Sequence, residues 1–189
     1  MRPDRDRDRD PGGRPRNARP RDALGRPLDR AGAGARAGDV GGDDAGGLGE
    51  DRIPDDLSLT GPDAARLADE LLRAGRPFHA HEVLEASWKH GPAGERDLWQ
   101  GLAQVAVGLT HAHRGNARGA VALLGRGVQR IRAYQAASPA ESPTGDRPYG
   151  IDLGAFLAAS DDLAARIDRD GLAGIPAADL RPGLTAAED

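Results

Sequence analysis

The residues that could do chemistry are concentrated in one segment, Phe78–Trp88, which reads FHAHEVLEASW. At about 100° per residue of α-helix, His81, Glu85 and Trp88 share one face with the apolar side chain of Leu84. An imidazole and a carboxylate that face a protein interior need hydrogen-bond partners, because burying an unsatisfied polar group costs several kcal/mol. We therefore expect His81 and Glu85 to pair with each other or with polar groups of a neighbouring helix.

A second set of polar side chains lies on the following helical segment. Gln100, Gln104 and His111 fall within about 60° of one another, opposite a leucine-rich face. Two interpretations are open at this point. The stripe faces water, as the polar side of an amphipathic helix usually does. Alternatively, it faces His81 and Glu85 and forms a polar seam between the two helices.

The same residues suggest two kinds of catalytic chemistry. The run His81–Glu85 begins like the zinc-protease motif His-Glu-x-x-His, but Glu85 stands where that motif has its second histidine. A catalytic zinc would need a third protein ligand, which His111 could supply. Without a metal, a partly buried Glu85 beside His81 suits proton transfer, with Glu82 as a further base. A hydrogen-bonded seam is the commoner arrangement, so we expect it here and assign no metal and no cofactor.

The composition excludes several classes of protein. The 189 residues include no cysteine, which rules out disulfides, thiolate zinc sites and cysteine nucleophiles. Acidic residues outnumber basic ones and the formal net charge is −4, so no basic surplus exists for binding nucleic acid. No apolar stretch approaches the roughly 20 residues of a membrane span, and the N-terminus does not read as a signal peptide. We therefore expect a cytoplasmic protein that binds neither nucleic acid nor membranes.

The chain divides into a tail and a helical region. Residues 1–57 are rich in Gly, Pro, Arg and Asp and hold few large aliphatic side chains, which predicts a disordered tail. Residues 58–170 show helical periodicity without strand-like alternation, which predicts an all-α bundle of about five helices. The turn-rich residues 171–189 are expected to be loosely attached. Three further histidines are expected at the surface: His79, His90 and His113.

Capping residues and glycines mark the ends of the predicted helices. Thr60 begins the first helix, and Gly115 ends the third where Asn116 begins the fourth. Because only a few residues join helices three and four, these helices are expected to pack antiparallel. Gly101 and Gly108 lie about two turns apart at nearly the same azimuth, where missing side chains permit close helix approach.

Together these segments resemble the helical family called domain of unknown function 309. The resemblance rests on the pattern HE-x-x-E-x-x-W, on QGL, and on the later GN and GA pairs. It covers residues 60–135 and extends through the predicted fifth helix to residue 169. It implies a small all-α bundle with polar motif residues clustered between helices, and it implies no activity. The motif positions in this chain are His81, Glu82, Glu85, Trp88, Gln100, Gly101, Gln104, His111, Gly115 and Asn116.

The sequence favours a non-enzymatic binding or interaction module, in which the polar motif residues form a cluster between helices or line a ligand groove. Gly101, Gly115 and Asn116 have a structural role in this interpretation. The alternative is a metal-dependent or acid–base hydrolase-like enzyme that uses His81, Glu85 and His111. Leucine and alanine faces on predicted helices one and five leave a homodimer open, and the partner is not defined at this stage.

Overall fold

The computed structural model describes residues 59–137 and 147–185, apart from the side chain of His90. These residues form five α-helices, α1 (Gly61–Arg73), α2 (Pro77–His90), α3 (Arg96–His113), α4 (Ala117–Ala137) and α5 (Leu153–Asp170). No strand occurs in this part of the chain, so the predicted all-α class is confirmed. None of the five helices has both the length and the apolar composition that a membrane crossing requires. The predicted tail, residues 1–57, lies outside the described residues.

Side-chain caps begin three of these helices. The hydroxyl of Thr60 accepts the backbone N–H three residues further on at 3.4 Å, at the start of α1. The side-chain oxygens of Asn116 and Asp152 do the same for α4 and α5, each at 2.9 Å. Each cap satisfies an N–H group that has no partner inside its own helix. Gly115 has the left-handed φ of +77° that reverses the chain between α3 and α4.

Helix α3 is the central element, since eleven of its eighteen residues are buried. It packs most extensively against α4 and then against α2. Glycines bring α3 and α4 close together: a Cβ at Gly101 would lie 2.6 Å from the Ile131 side chain, and one at Gly127 would lie 2.6 Å from Val105. A Cβ at Gly108 would lie 3.0 Å from α4 atoms. The structure therefore places Gly101 and Gly108 at a close helix crossing.

The short segment before α5 is anchored to the start of α3 by Glu95. One carboxylate oxygen of Glu95 accepts the indole N–H of Trp99 at 3.0 Å, and the other accepts the hydroxyl of Tyr149. The rings of Trp99 and Tyr149 lie 5.3 Å apart between centroids. Burial and the neighbouring Glu95 carboxylate raise the pKa of Tyr149, so its hydroxyl stays protonated and donates. Trp99 itself is buried, which makes this group part of the core.

The C-terminal segment has specific contacts up to Thr185, the last described residue. Two short 3₁₀ turns, Leu172–Gly174 and Ala177–Leu180, follow α5. Leu184 is 1% exposed, and the Asp69 carboxylate of α1 accepts the backbone N–H groups of Leu184 and Thr185. The turn-rich composition predicts loose attachment instead. The difference arises because the attachment depends on Asp69, which is far away in sequence.

Candidate functional site

The predicted pair on α2 is present, and it is partly open to solvent. His81 Nε2 lies 3.6 Å from Glu85 Oε2, and Lys89 Nζ lies 2.9 Å from Glu85 Oε1. The side chains of His81 and Glu85 are 26% and 34% exposed. Glu85 is therefore shared between His81 and Lys89, each one helical turn away from it.

Two large rings flank these ionisable side chains. Phe78 is partly buried, and its ring centroid lies 6.3 Å from that of His81. Trp88 is also partly buried and packs against the edge of the core, with Lys89 Nζ 6.0 Å from its ring centroid. We call the surface formed by Phe78, His81, Glu85, Trp88 and Lys89 the α2 face. Glu82, a further motif residue, is partly buried on the same helix.

The remaining surface of α2, from Leu84 round to His79, packs against the rest of the bundle. Ala80, Val83 and Leu84 are each fully buried there, and His79 is 4% exposed. The prediction of a surface position for His79 is therefore wrong. The helix is rotated by roughly a third of a turn from the predicted orientation, because small and aliphatic residues face the core while the rings lie at its edge.

Burial controls the protonation of His81. Desolvation lowers the pKa of His81, and this effect outweighs the attraction of the Glu85 carboxylate, while the Lys89 ammonium lowers the pKa further. The imidazole is therefore neutral at pH 7, with Nε2 directed toward Glu85. Its other nitrogen, Nδ1, is buried and has no hydrogen-bond partner among the described residues.

The glutamines of α3 divide between two environments. Gln100 Oε1 accepts from Arg130 of α4 at 2.6 Å, and the same guanidinium lies 2.8 Å from Asp97. Gln104 is partly buried, and its Oε1 is a buried atom without a hydrogen-bond partner in the described part of the chain. The hydrogen bond of Gln100 thus joins α3 to α4, whereas the predicted seam would join α3 to α2.

His111 is held at the turn between α3 and α4. Asn116 Oδ1 accepts the N–H of Gly119, so Asn116 Nδ2 is the atom that lies 2.7 Å from His111 Nδ1. An amide nitrogen only donates, so Nδ1 of His111 accepts and the neutral ring carries its hydrogen on Nε2. A Cβ at Gly119 would lie 2.5 Å from His111 Nδ1. This turn is therefore formed by four residues: His111, Gly115, Asn116 and Gly119.

This geometry leaves the metal-dependent alternative without a ligand set. Among residues 59–137 and 147–185, no three His, Asp or Glu side chains are grouped so that they could hold one metal ion. A metal ion bound at Nε2 of His111 would require the ring hydrogen on Nδ1, where it would face the amide N–H of Asn116. His81, Glu85 and His111 therefore do not form the three-ligand site considered from the sequence.

His113 also differs from its predicted surface position. It is partly buried near the C-terminal segment, where it forms a hydrogen bond with the backbone of Leu180. Burial lowers the pKa of His113; the hydrogen bond to Leu180 opposes that shift, and the charge of Arg181 adds to it. His113 therefore belongs to the attachment of the C-terminal segment, and His90 has no described side chain.

Sequence reasoning missed three contributors to these arrangements. Lys89 forms an ion pair with Glu85 on α2, and its spacing of four residues from Glu85 could have predicted this pair. Arg130 and Asp69 make contacts across many intervening residues. No local pattern distinguishes these two residues from ordinary surface charges.

Comparison with known proteins identifies the segment that carries these residues. Residues 66–123 match the model of the DUF309 family, described as a domain of unknown function. The predicted resemblance is confirmed over this DUF309 segment, which runs from α1 into α4 and includes the α2 face and the turn at Asn116.

The chain is also similar to a bacterial protein. It is 39% identical over 57 residues to the Bacillus subtilis (strain 168) protein named "Uncharacterized protein YpuF". The alignment covers 30% of this chain and 33% of that protein, so the likeness extends over about a third of the relative's length. No solved structure gives a significant match to the chain.

Proposed function

We propose that residues 58–170 form a non-enzymatic protein-binding module and that the α2 face is its binding surface. The observation that carries the proposal is the position of two large rings, Phe78 and Trp88, which are only partly buried beside three ionisable side chains. The chain's other Phe and Trp residues, Phe156 and Trp99, are 2% and 1% exposed. The fold can therefore enclose such rings, and it leaves these two at the surface.

A surface of this composition suits a protein partner. Partly exposed aromatic rings surrounded by polar groups are typical of the residues that contribute most to binding at protein interfaces. Phe78 and Trp88 are ten residues apart, which is about 15 Å along the helix axis. A partner helix with apolar side chains two to three turns apart could contact both rings, whereas a small ligand would reach one of them.

Catalysis has less support because His111, the third candidate, has a partner of its own away from His81 and Glu85. Glu85 is shared by His81 and Lys89, and His111 Nδ1 accepts from Asn116. We also propose that the protein is cytoplasmic and binds neither nucleic acid nor membranes. Residues 1–57 would act as a tether for the helical module.

Site-specific photo-crosslinking tests the proposal. Phe78 of the full chain is replaced by benzoylphenylalanine, which keeps the phenyl ring, and cells that express the protein are irradiated. We expect a discrete adduct of higher mass, because a partner on the α2 face would lie within reach of the probe. The matched control carries the same probe at Arg126, an exposed position on α4.

The adduct should also depend on the rest of the surface. Combining the probe at position 78 with Trp88→Ala should reduce the adduct, while circular dichroism verifies that the helices are retained. A position-78 probe that gives no adduct, or the same adducts as the position-126 probe, would contradict the proposal.

A further inference from the structure

A buried carboxylate on α1 holds the end of the described chain. Asp69 is 8% exposed, and its Oδ1 accepts the backbone N–H of Leu184 and, at 3.2 Å, that of Thr185. Its Oδ2 accepts the hydroxyl of Thr185 at 2.9 Å and the Nε–H of Arg73 at 2.9 Å. Burial alone would raise the pKa of Asp69, but these hydrogen bonds together lower it, so the carboxylate is ionised and accepts at neutral pH.

Arg73 and the chain before α5 complete the contacts with this segment. Arg73 Nη2 donates to the carbonyl oxygen of Thr185 at 2.7 Å. The backbone N–H of Asp152 donates to the carbonyl oxygen of Leu184 at 2.9 Å, next to an antiparallel bridge between Ile151 and Thr185. The segment is therefore bound through its main chain, in the manner of an added β-strand.

The site also selects side chains at three consecutive positions. A Cβ at Gly183 would clash with the guanidinium of Arg73, so a side chain at this position would displace the group that binds the Thr185 carbonyl oxygen. Leu184 is 1% exposed and fills an apolar space, while the Thr185 hydroxyl is bound by Asp69. Main-chain bonds combined with side-chain selection at successive residues are the features of a peptide-recognition site.

The stretch between α5 and this tripeptide is suited to act as a hinge. It begins at Gly171, whose φ is +72°, and seven of its residues up to Arg181 are exposed, while Leu172, Ile175 and Leu180 pack against the edge of the core. Apart from backbone hydrogen bonds, its polar contacts with the helices include the ion pair of Arg166 with Asp179 and the hydrogen bond of His113 with Leu180. Eleven residues, 171–181, can span up to about 36 Å when extended, which is enough to reach a neighbouring molecule.

We propose that Asp69, Arg73 and the apolar space for Leu184 form a recognition site for a Gly-Leu-Thr segment, and that this site accepts the segment from a second copy of the chain. Within one molecule the chain's own residues 183–185 occupy it. An exchanged segment would make the same contacts in a reciprocal dimer, so exchange costs little beyond the association itself. The site is separate from the α2 face and does not depend on its function.

A complementation experiment tests this proposal with two full-length variants. Asp69→Asn offers an intact segment but weakens the site, whereas Leu184→Ser keeps the site but weakens the segment. Mixing them allows the segment of the first chain to occupy the site of the second. We expect native mass spectrometry of the mixture to show a heterodimer at least about tenfold more abundant than the homodimer of either variant alone.

A second measurement keeps the test independent of the Asp69 variant. A synthetic peptide with the sequence of residues 182–189 should raise the melting temperature of the Leu184→Ser chain in a saturable manner. The same peptide with serine at the leucine position is the matched control and should have no effect. If Asp69→Asn does not fold, Arg73→Ala replaces it in the mixture.

Two results would overturn the proposal. One is a mixture that contains only the species seen with each variant alone, although both variants are folded by circular dichroism. The other is a melting temperature of the Leu184→Ser chain that the peptide with the native sequence leaves unchanged. A heterodimer together with a peptide-dependent increase would establish the site and its second-copy occupant.

Discussion

Gly119→Ala tests the interpretation of the turn between α3 and α4. A Cβ at this position would lie 2.5 Å from His111 Nδ1 and 2.6 Å from Asn116 Nδ2, closer than atoms can approach. The His111 ring and the Asn116 amide would therefore move apart, which breaks the 2.7 Å bond between them and the cap of α4. Losing a cap costs about 1 kcal/mol and overpacking costs about 1–3 kcal/mol, while alanine gains about 1 kcal/mol over glycine in a helix.

The expected net effect is a loss of about 1–3 kcal/mol in the free energy of unfolding. Urea denaturation followed by circular dichroism measures it through the transition midpoint at constant slope. The matched control is Gly125→Ala on the same helix, where an added Cβ would meet nothing within 4 Å. This control should stabilise the protein by about 0.5–1 kcal/mol through the difference in helix propensity.

The comparison of the two variants decides the result. If Gly119→Ala stabilised the protein as Gly125→Ala does, the contact between His111 and Asn116 could not be a constraint on position 119. A double variant with Asn116→Ala provides a further test, because both substitutions disrupt one cap. Their combined cost should be clearly smaller than the sum of the single costs.

Three further predictions concern groups in or near the core. Burial lowers the pKa of His81, so as the pH falls below about 6.5 the imidazole is protonated more readily in the unfolded chain than in the folded one. The free energy of unfolding should therefore decrease on acidification. Urea denaturation between about pH 7 and pH 5 should show a smaller decrease for His81→Asn than for the native chain. Ser160→Ala should raise the free energy of unfolding by about 1 kcal/mol, since its buried Oγ has no partner among the described residues; unchanged or lower stability would argue against this. Glu95→Ala should lower that free energy by about 1–3 kcal/mol, measured by urea denaturation, because it leaves the buried Trp99 N–H without an acceptor; Glu95→Gln, which retains one acceptor, should cost less.

Features that depend on neighbouring residues could be predicted from the sequence. The caps Thr60 and Asn116 lie where the pattern places them, and Gly115 ends α3 as predicted. A cap or a helix end requires only side chains and backbone within a few positions of each other. The helix periods could be recognised for the same reason, and they determine the all-α class.

The rotation of α2 could not be predicted in this way. Periodicity shows which residues share a face, but two faces of α2 each combine apolar and polar side chains. The large rings of Phe78 and Trp88 favoured the prediction that their face turns inward, and that prediction is wrong. The core is filled by Ala80 and Val83 together with Leu84, the one residue of the predicted inward face that is fully buried. Which face turns inward depends on the shape of the neighbouring helices, and a single helix sequence does not contain that shape.

Contacts between distant residues were also beyond the sequence pattern. Asp69 and Glu70 are adjacent acids on α1, and nothing local distinguishes them. Asp69 is buried because Leu184 and Thr185 return to it from more than 110 residues away, whereas Glu70 is exposed and pairs with Arg66. The role of Asp69 follows from the path of the chain and not from its surroundings in sequence.

The residues that carry the DUF309 resemblance divide into two groups with different physical reasons. Gly101 lies at the close crossing of α3 and α4, and Gly115 and Asn116 form the turn, so packing accounts for them. Packing does not account for His81 or Glu85, because α2 meets the core with its other side. His81 is neutral, and the partly exposed ion pair of Glu85 with Lys89 contributes less than about 1 kcal/mol, so substitutions there should leave folding nearly intact. The proposed binding role of the α2 face accounts for these residue types, and binding can be measured there separately from stability.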